Sequence, residues 1–152
     1  NLFSVLPSVS FRPKYSVVII VCSRIKIIKF FKRLGLKIGN KVKQQVCIPP
    51  WIMQNKKNKI ACARGLMDTD GCIYEECHAI KGKKYCYPRL AFVNRSIPLL
   101  NSLYSILKEL GLNPKYRNSK SVHLENKDDI INYFKIVGTS NPKHRSRFEK
   151  YI

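Results

Sequence analysis

The first 67 residues contain no aspartate or glutamate, although they hold fourteen of the chain's 29 lysines and arginines. All nine acids lie at or beyond Asp68, so that stretch carries +14 and the remainder, fifteen cations against nine acids, carries +6. A segment that repels itself this strongly is usually compensated by a polyanion, and nucleic acid is the leading one. Long apolar runs are also missing. The longest, residues 17–22, is the length of a buried strand and far short of the ~18 to 20 residues of a membrane span, which excludes a spanning segment. No pair among Cys72, Cys77, His78 and Cys86 has the C-x2-C spacing with which a short knuckle grips zinc. With no recognisable secretory signal and several cysteines inside apolar runs, Cys22, Cys47, Cys62, Cys72, Cys77 and Cys86 are expected as reduced, buried thiols.

What is present is a folded composition. The 152 residues are 45% hydrophobic with a net charge of +20, too apolar for a disordered basic tail and sized for one domain or one and a half small ones. Residues 15–23 are β-branched and strand-like. Residues 25–34 place Ile27, Ile28, Phe31 and Leu34 on one helical stripe, stopped by Gly35. The double proline in Ile48-Pro49-Pro50-Trp51 reads as a linker with Trp51 packed as its anchor. Beyond it the pattern predicts a helix over 57–70, strands over 72–79 and 85–93 around a basic turn at 81–84, and a helix over 97–110 ended by Gly111. A second hairpin at 115–120 and 122–126 and a helix over 128–137 follow. The order is αββαββα.

The chain also resembles itself. Residues 16–35 match residues 119–138 at an offset of 103, with Val21 on Leu124, Ile27 and Ile28 on Ile130 and Ile131, Phe31 on Phe134 and Gly35 on Gly138; after a slip, Asn40-Lys41 matches Asn141-Pro142-Lys143. A repeat whose first copy lacks its front predicts a pseudo-twofold protein read from within copy one. Residues 1–47 would be the end of that copy, 48–56 a linker and 57–152 a complete second copy.

The strongest local signal is ARGLMDTDG, residues 63–71. Asp68 and Asp70 stand at the C-terminal end of a helix, where the macrodipole disfavours each by ~0.3 to 1 kcal/mol. Crowded carboxylates and exposed carbonyls offer hard oxygen ligands suited to Mg²⁺, while Asp-Thr-Asp-Gly also suits a plain helix-to-strand turn. Ala61 and Gly65, four apart on one face, leave room for another helix to approach closely.

This run resembles the signature of the LAGLIDADG homing endonucleases, matching at Gly65, Leu66, Asp68, Asp70 and Gly71 and departing at Ala63, Arg64 and Thr69. The αββαββα order, the proline linker, Phe92-Val93-Asn94-Arg95-Ser96 and Asn141-Pro142-Lys143-His144 extend the resemblance over essentially the whole chain. It implies an α+β fold in which an antiparallel sheet forms a saddle on double-stranded DNA with helices on its other face. Ala61, Gly65 and Asp68 would lie at the interface with a second repeat, supplied in cis or by a homodimer partner. Asp70, with Gly71 beside it, would hold Mg²⁺ or another divalent cation against a scissile phosphate, one catalytic acid per repeat. Asn94 and Arg95 would position water and stabilise charge, with Lys143 nearby. Lys81, Lys83, Lys84, Arg89, Lys115, Arg117 and Lys120 would face the groove. Alternate strand positions point the same way, so Lys115 and Arg117 can point together.

Two other classes share these features: an intron maturase that binds RNA, and a DNA-binding protein of the same fold without chemistry. The free thiols point to a reducing intracellular compartment, whether bacterial or archaeal cytoplasm or an organelle.

Overall fold

A computed structural model describes residues 5–151. It divides into two compact units, Asn1–Gly39 and Asn40–Ile152. Among the described residues no helix is long and apolar enough to cross a membrane.

The first unit is small. Strands β1 (Ser8–Arg12) and β2 (Val17–Val21) pair antiparallel, and helix α1 (Ile25–Arg33) follows, ending near Gly35 at a φ of +89°. Neither strand nor α1 has a buried residue. The apolar run expected to form a buried strand is a strand, but an exposed one, because one hairpin and a nine-residue helix cannot enclose a core.

In the second unit, the double proline leads into a short helix α2 (Pro50–Met53), where Pro50 suits the first turn because its missing N–H is not needed there. Trp51, expected to pack as the linker's anchor, is 44% exposed, and Ile48 at 5% is the linker residue that enters the core. Helix α3 (Lys56–Asp70) is opened by Asn55, whose side chain accepts from the backbone N–H of Lys57 and Asn58. It runs directly into β3 (Gly71–Ile80), which pairs antiparallel with β4 (Lys83–Val93). Helix α4 (Ile97–Glu109), the hairpin β5 (Lys115–Arg117) and β6 (Ser121–Leu124), and α5 (Lys127–Ile136) complete the αββαββα order. A further helix α6 (Pro142–Phe148) follows where the sequence reading had only a tail. Its signal was local: Asn141 caps it and Pro142 takes its first turn.

The fold is α+β, with a four-stranded antiparallel sheet in the order β3-β4-β6-β5. Ile73, Leu90, Phe92, Val122 and Leu124 project from one face into a core with Ala63 and Met67 of α3, Leu100, Leu103, Ile106 and Leu107 of α4, and Ile130 and Tyr133 of α5. Alternation places Tyr74, Glu76, Arg89, Lys115, Arg117, Ser121 and His123 on the opposite face.

The β3–β4 turn is tighter than residues 81–84 suggested. Lys81 and Gly82 both have positive φ, +49° and +76°, so the loop has two residues and Ile80 pairs with Lys83. That register sets Cys77 opposite Cys86, and the two form a disulfide. The expectation of six reduced, buried thiols is therefore corrected: Cys22 and Cys47 are exposed, and Cys62 and Cys72 half-buried.

Candidate active site and nucleic-acid interface

The two acids of the signature have opposite surroundings. Asp68 is half-buried and engaged: the Thr139 hydroxyl and the Ser140 backbone N–H (2.8 Å) donate to its carboxylate, and the Asn141 amide donates to its backbone oxygen at 2.9 Å. Buried His144 of α6 stands 3.9 Å away. Asp68 thus ties the end of α3 to the loop that opens α6. Asp70, the last residue of α3, is exposed, and its carboxylate has no hydrogen bond or ion pair among the described residues. A bare carboxylate at the negative end of a helix is disfavoured unless a cation joins it.

Gly71 makes the junction possible. Its N–H bonds the Met67 carbonyl, and a Cβ there would lie 2.4 Å from that oxygen and 2.9 Å from the Met67 Cα. Because Gly71 pairs with Phe92, Asp70 stands at the same sheet end as Val93, Asn94 and Arg95. The Asn94 N–H bonds the Lys120 carbonyl at 3.0 Å, which brings the β5–β6 turn to that end too. Asn94 Oδ1 accepts from Ser96 N–H at 2.9 Å, its amide N–H groups have no hydrogen-bond acceptor among the described residues, and the Arg95 side chain is exposed. Lys143 lies exposed in the first turn of α6, the helix that Asn141 fastens to Asp68. One end of the sheet therefore gathers Asp70, Asn94, Arg95 and Lys120, with the start of α6 joined to the same helix end.

The other sequence-derived cations separate into two groups. Lys81, Lys83 and Lys84 surround the β3–β4 turn, about 30 Å along the strands from Asp70. All three are exposed, and alternation places Lys83 with the open face and Lys84 with the helix side. Arg89, Lys115 and Arg117 share the open face, but each is paired with an acid. Lys115 Nζ and Arg117 Nε reach Glu125 at 3.0 and 2.6 Å, while Arg89 Nε and Arg117 Nη1 reach Glu76 at 2.7 and 2.9 Å. The Arg117 and Arg89 hydrogen bonds hold the Glu76 carboxyl down to about 2. Its contribution to stability is therefore full above about 4.5 and is lost as pH falls towards 2. Between them His123 is buried, which with the Arg117 charge pushes its imidazole pKa down.

Sequence reasoning missed Glu76 and Glu125, because their partners are assigned only by register and strand order. It also left Arg64 and Thr69 as unexplained departures from the signature. Arg64 Nε donates to the Val137 carbonyl at 2.6 Å, closing the end of α5, and Thr69 Oγ1 bonds back to Gly65 O at 3.0 Å. An open pocket of about 370 Å³, lined by Arg64, Phe134, Gly138, Thr139, Arg145, Phe148 and Glu149, includes none of the gathered residues.

No family model and no curated protein matches the chain. Similar solved structures include a lysine-to-alanine mutant of I-SmaMI, 14% identical over 61% of this chain and 35% of that one, with a TM-score of 0.44. The homing endonuclease I-TnaI is 17% identical over 60% of this chain and 67% of that one, at 0.43. The group I intron-encoded homing endonuclease I-CeuI, complexed with DNA, is 10% identical over 83% and 69%, at 0.45. The chain spans about a third of the length of the I-SmaMI mutant.

Ala61 and Gly65 are both exposed on α3, and a Cβ at Gly65 would meet nothing within 4 Å. The unit's own packing does not require glycine there. Gly65→Ala is expected to raise the thermal midpoint of the isolated chain, alanine being better by about 0.8 to 1 kcal/mol inside a helix. A lower midpoint in a melting experiment would mean that this face is already covered.

Proposed function

We propose that this chain is a DNA-cleaving repeat of a LAGLIDADG-type homing endonuclease, a site-specific, metal-dependent phosphodiesterase. The observation that carries this reading is Asp70, a carboxylate with no hydrogen bond or ion pair among the described residues, at the junction of α3 and β3 and at the same sheet end as Asn94, Arg95 and Lys120, while Asp68 is engaged. That donor set fits Mg²⁺, which is commonly held by one or two carboxylates while substrate phosphate and water complete its shell. Asp70, with the backbone at Gly71 alongside, would hold the ion. When bound it supplies Lewis acidity at the phosphate and acidifies a water.

The protein's own groups do the rest. The Asn94 amide, fixed through its oxygen by Ser96 N–H, is free to donate to and orient a water. Arg95 offsets the charge that develops on the phosphate, and Lys143 adds a second cation at the start of α6. Asp68 fastens the helix end on which Asp70 depends.

One acid cuts one strand, so a double-strand break needs a second repeat, in cis or from another copy, on the Ala61 and Gly65 face of α3. Local structure in the first unit favours an ancestral repeat. There a hairpin feeds a helix that ends near Gly35 with positive φ, as β5, β6 and α5 end near Gly138. Just past that unit's last residue, Asn40 accepts from Val42 and Lys43 N–H as Asn141 does from Lys143.

The test is cleavage, by the full chain, of a plasmid carrying the joined sequences that flank its reading frame in the genome. Cutting at one site in Mg²⁺ and not in chelator is the expected result. Binding without cutting in any divalent ion would sink the nuclease reading, and stimulated splicing of the flanking transcript would put a maturase in its place.

A further inference from the structure

The open sheet face carries five charged side chains that are scattered in sequence and joined in space. Glu76 on β3 accepts from Arg89 Nε at 2.7 Å and from Arg117 Nη1 and Nη2 at 2.9 and 3.2 Å. Glu125, just beyond β6, accepts from Arg117 Nε at 2.6 Å and Lys115 Nζ at 3.0 Å. Arg89 Nη1 also donates to the backbone oxygens of Pro88 and Glu125, at 3.1 and 2.7 Å. Each guanidinium thus commits three of its five N–H donors and keeps two. The cluster of three cations and two anions has a net charge of only +1, on a chain whose net charge is +20.

A surface built merely to follow phosphates needs mobile, unpaired cations. This one does the opposite: it fixes its arginines and removes most of their net charge. We propose that Glu76 is a positioning residue for sequence reading, holding Arg89 and Arg117 so that their remaining donors meet hydrogen-bond acceptors on base edges in the major groove. The donors that remain, both on Nη2 of Arg89 and one on each of Nη1 and Nη2 of Arg117, point away from one another, so each would meet a single acceptor, and the O6 and N7 of guanine are the acceptors we assign to them. The inference rests on the DNA-binding reading above and adds the residue that sets selectivity on this face. Glu76 would therefore favour discrimination over affinity, because each arginine it restrains is one fewer free to pair with phosphate.

The experiment compares the full chain with Glu76→Gln, Glu76→Asp and Arg117→Ala, using mixed-sequence duplex DNA over a salt series and selection from a randomised duplex pool. Glu76→Gln is expected to bind mixed-sequence DNA about tenfold more tightly at low salt, with a log–log salt slope steeper by about 1 to 2, one phosphate for each released arginine. The selected site is expected to lose its guanine preference at one or two positions, and Arg117→Ala to lose it at one of the same positions. Glu76→Asp, which keeps the charge, is expected to restore the shallow slope. Three results overturn the proposal. One is an unchanged slope and selected site in Glu76→Gln. Another is a lower melting temperature with uniformly weaker binding and no change in slope, which would mark a structural role. If the unmodified chain binds no duplex, the DNA-binding reading falls first and this inference with it.

Discussion

Asp70→Asn is expected to cut DNA about 10³-fold more slowly than the unmodified chain while binding the same duplex at least as tightly. The amide keeps the shape of the side chain but loses the charge that would hold a divalent cation, and several kcal/mol of transition-state stabilisation go with it. Stability is expected to hold or rise. Asp70 bonds to no described residue, and removing a charge from the negative end of α3 relieves about 0.3 to 1 kcal/mol. Asp68→Asn should behave in the reverse sense. It weakens charge-assisted bonds from Thr139 and Ser140, each worth about 1.5 to 3 kcal/mol, so its primary defect is a lower melting temperature. Single-turnover cleavage together with thermal unfolding separates the two. Equal losses of stability in both variants would show that Asp70 is a structural acid.

The second large effect belongs to Gly71→Ala. The added methyl would lie 2.4 Å from the Met67 oxygen and 2.9 and 3.0 Å from its Cα and carbonyl carbon, all backbone atoms of the helix end itself. No side chain can rotate away to relieve that contact. Either the α3–β3 junction opens or the first pair of the β3–β4 ladder, Gly71 with Phe92, shifts. A cost of about 3 kcal/mol follows, on the order of 10 °C in melting temperature for a unit of this size. Cleavage would fall further than folding, because the displaced junction carries Asp70. An unchanged melting temperature would contradict the tight helix-to-strand passage. Gly65→Ala, six residues earlier and with open space around it, is the internal control.

The order of elements was legible because their periodicities are strong. The apolar residues of α4 and α5 fall at helical spacing, and the strands between turn signals read clearly. Asp70 stands out in the sequence for a different reason: two acids at the unfavourable end of a helix violate a local preference, and what the structure adds is that Asp68 is engaged while Asp70 is exposed. Register was not legible. Lys81-Gly82 forms a two-residue turn with both φ positive, but lysine is not a residue that announces one, and a four-residue turn was the natural reading. That slip concealed the disulfide, since Cys77 meets Cys86 only in the tighter register. It concealed the Glu76 cluster as well, which also needs β6 to lie beside β4. Arg89, Lys115 and Arg117 therefore read as free cations when each has a carboxylate partner. Near the linker, Ile48 is the residue buried in the core, while Trp51, the larger apolar side chain, stays 44% exposed.

The most direct test of the central claim, that the end of α3 is a metal site at the scissile phosphate, is localised radical cleavage. Fe²⁺ replaces Mg²⁺ in the protein–DNA complex, peroxide and ascorbate are added, and the cut sites on the polypeptide are mapped by mass spectrometry. The account predicts backbone cuts clustered at residues 68–72 in the unmodified chain and their loss in Asp70→Asn. Cuts that fall elsewhere on the chain, or that persist undiminished in Asp70→Asn, would contradict it.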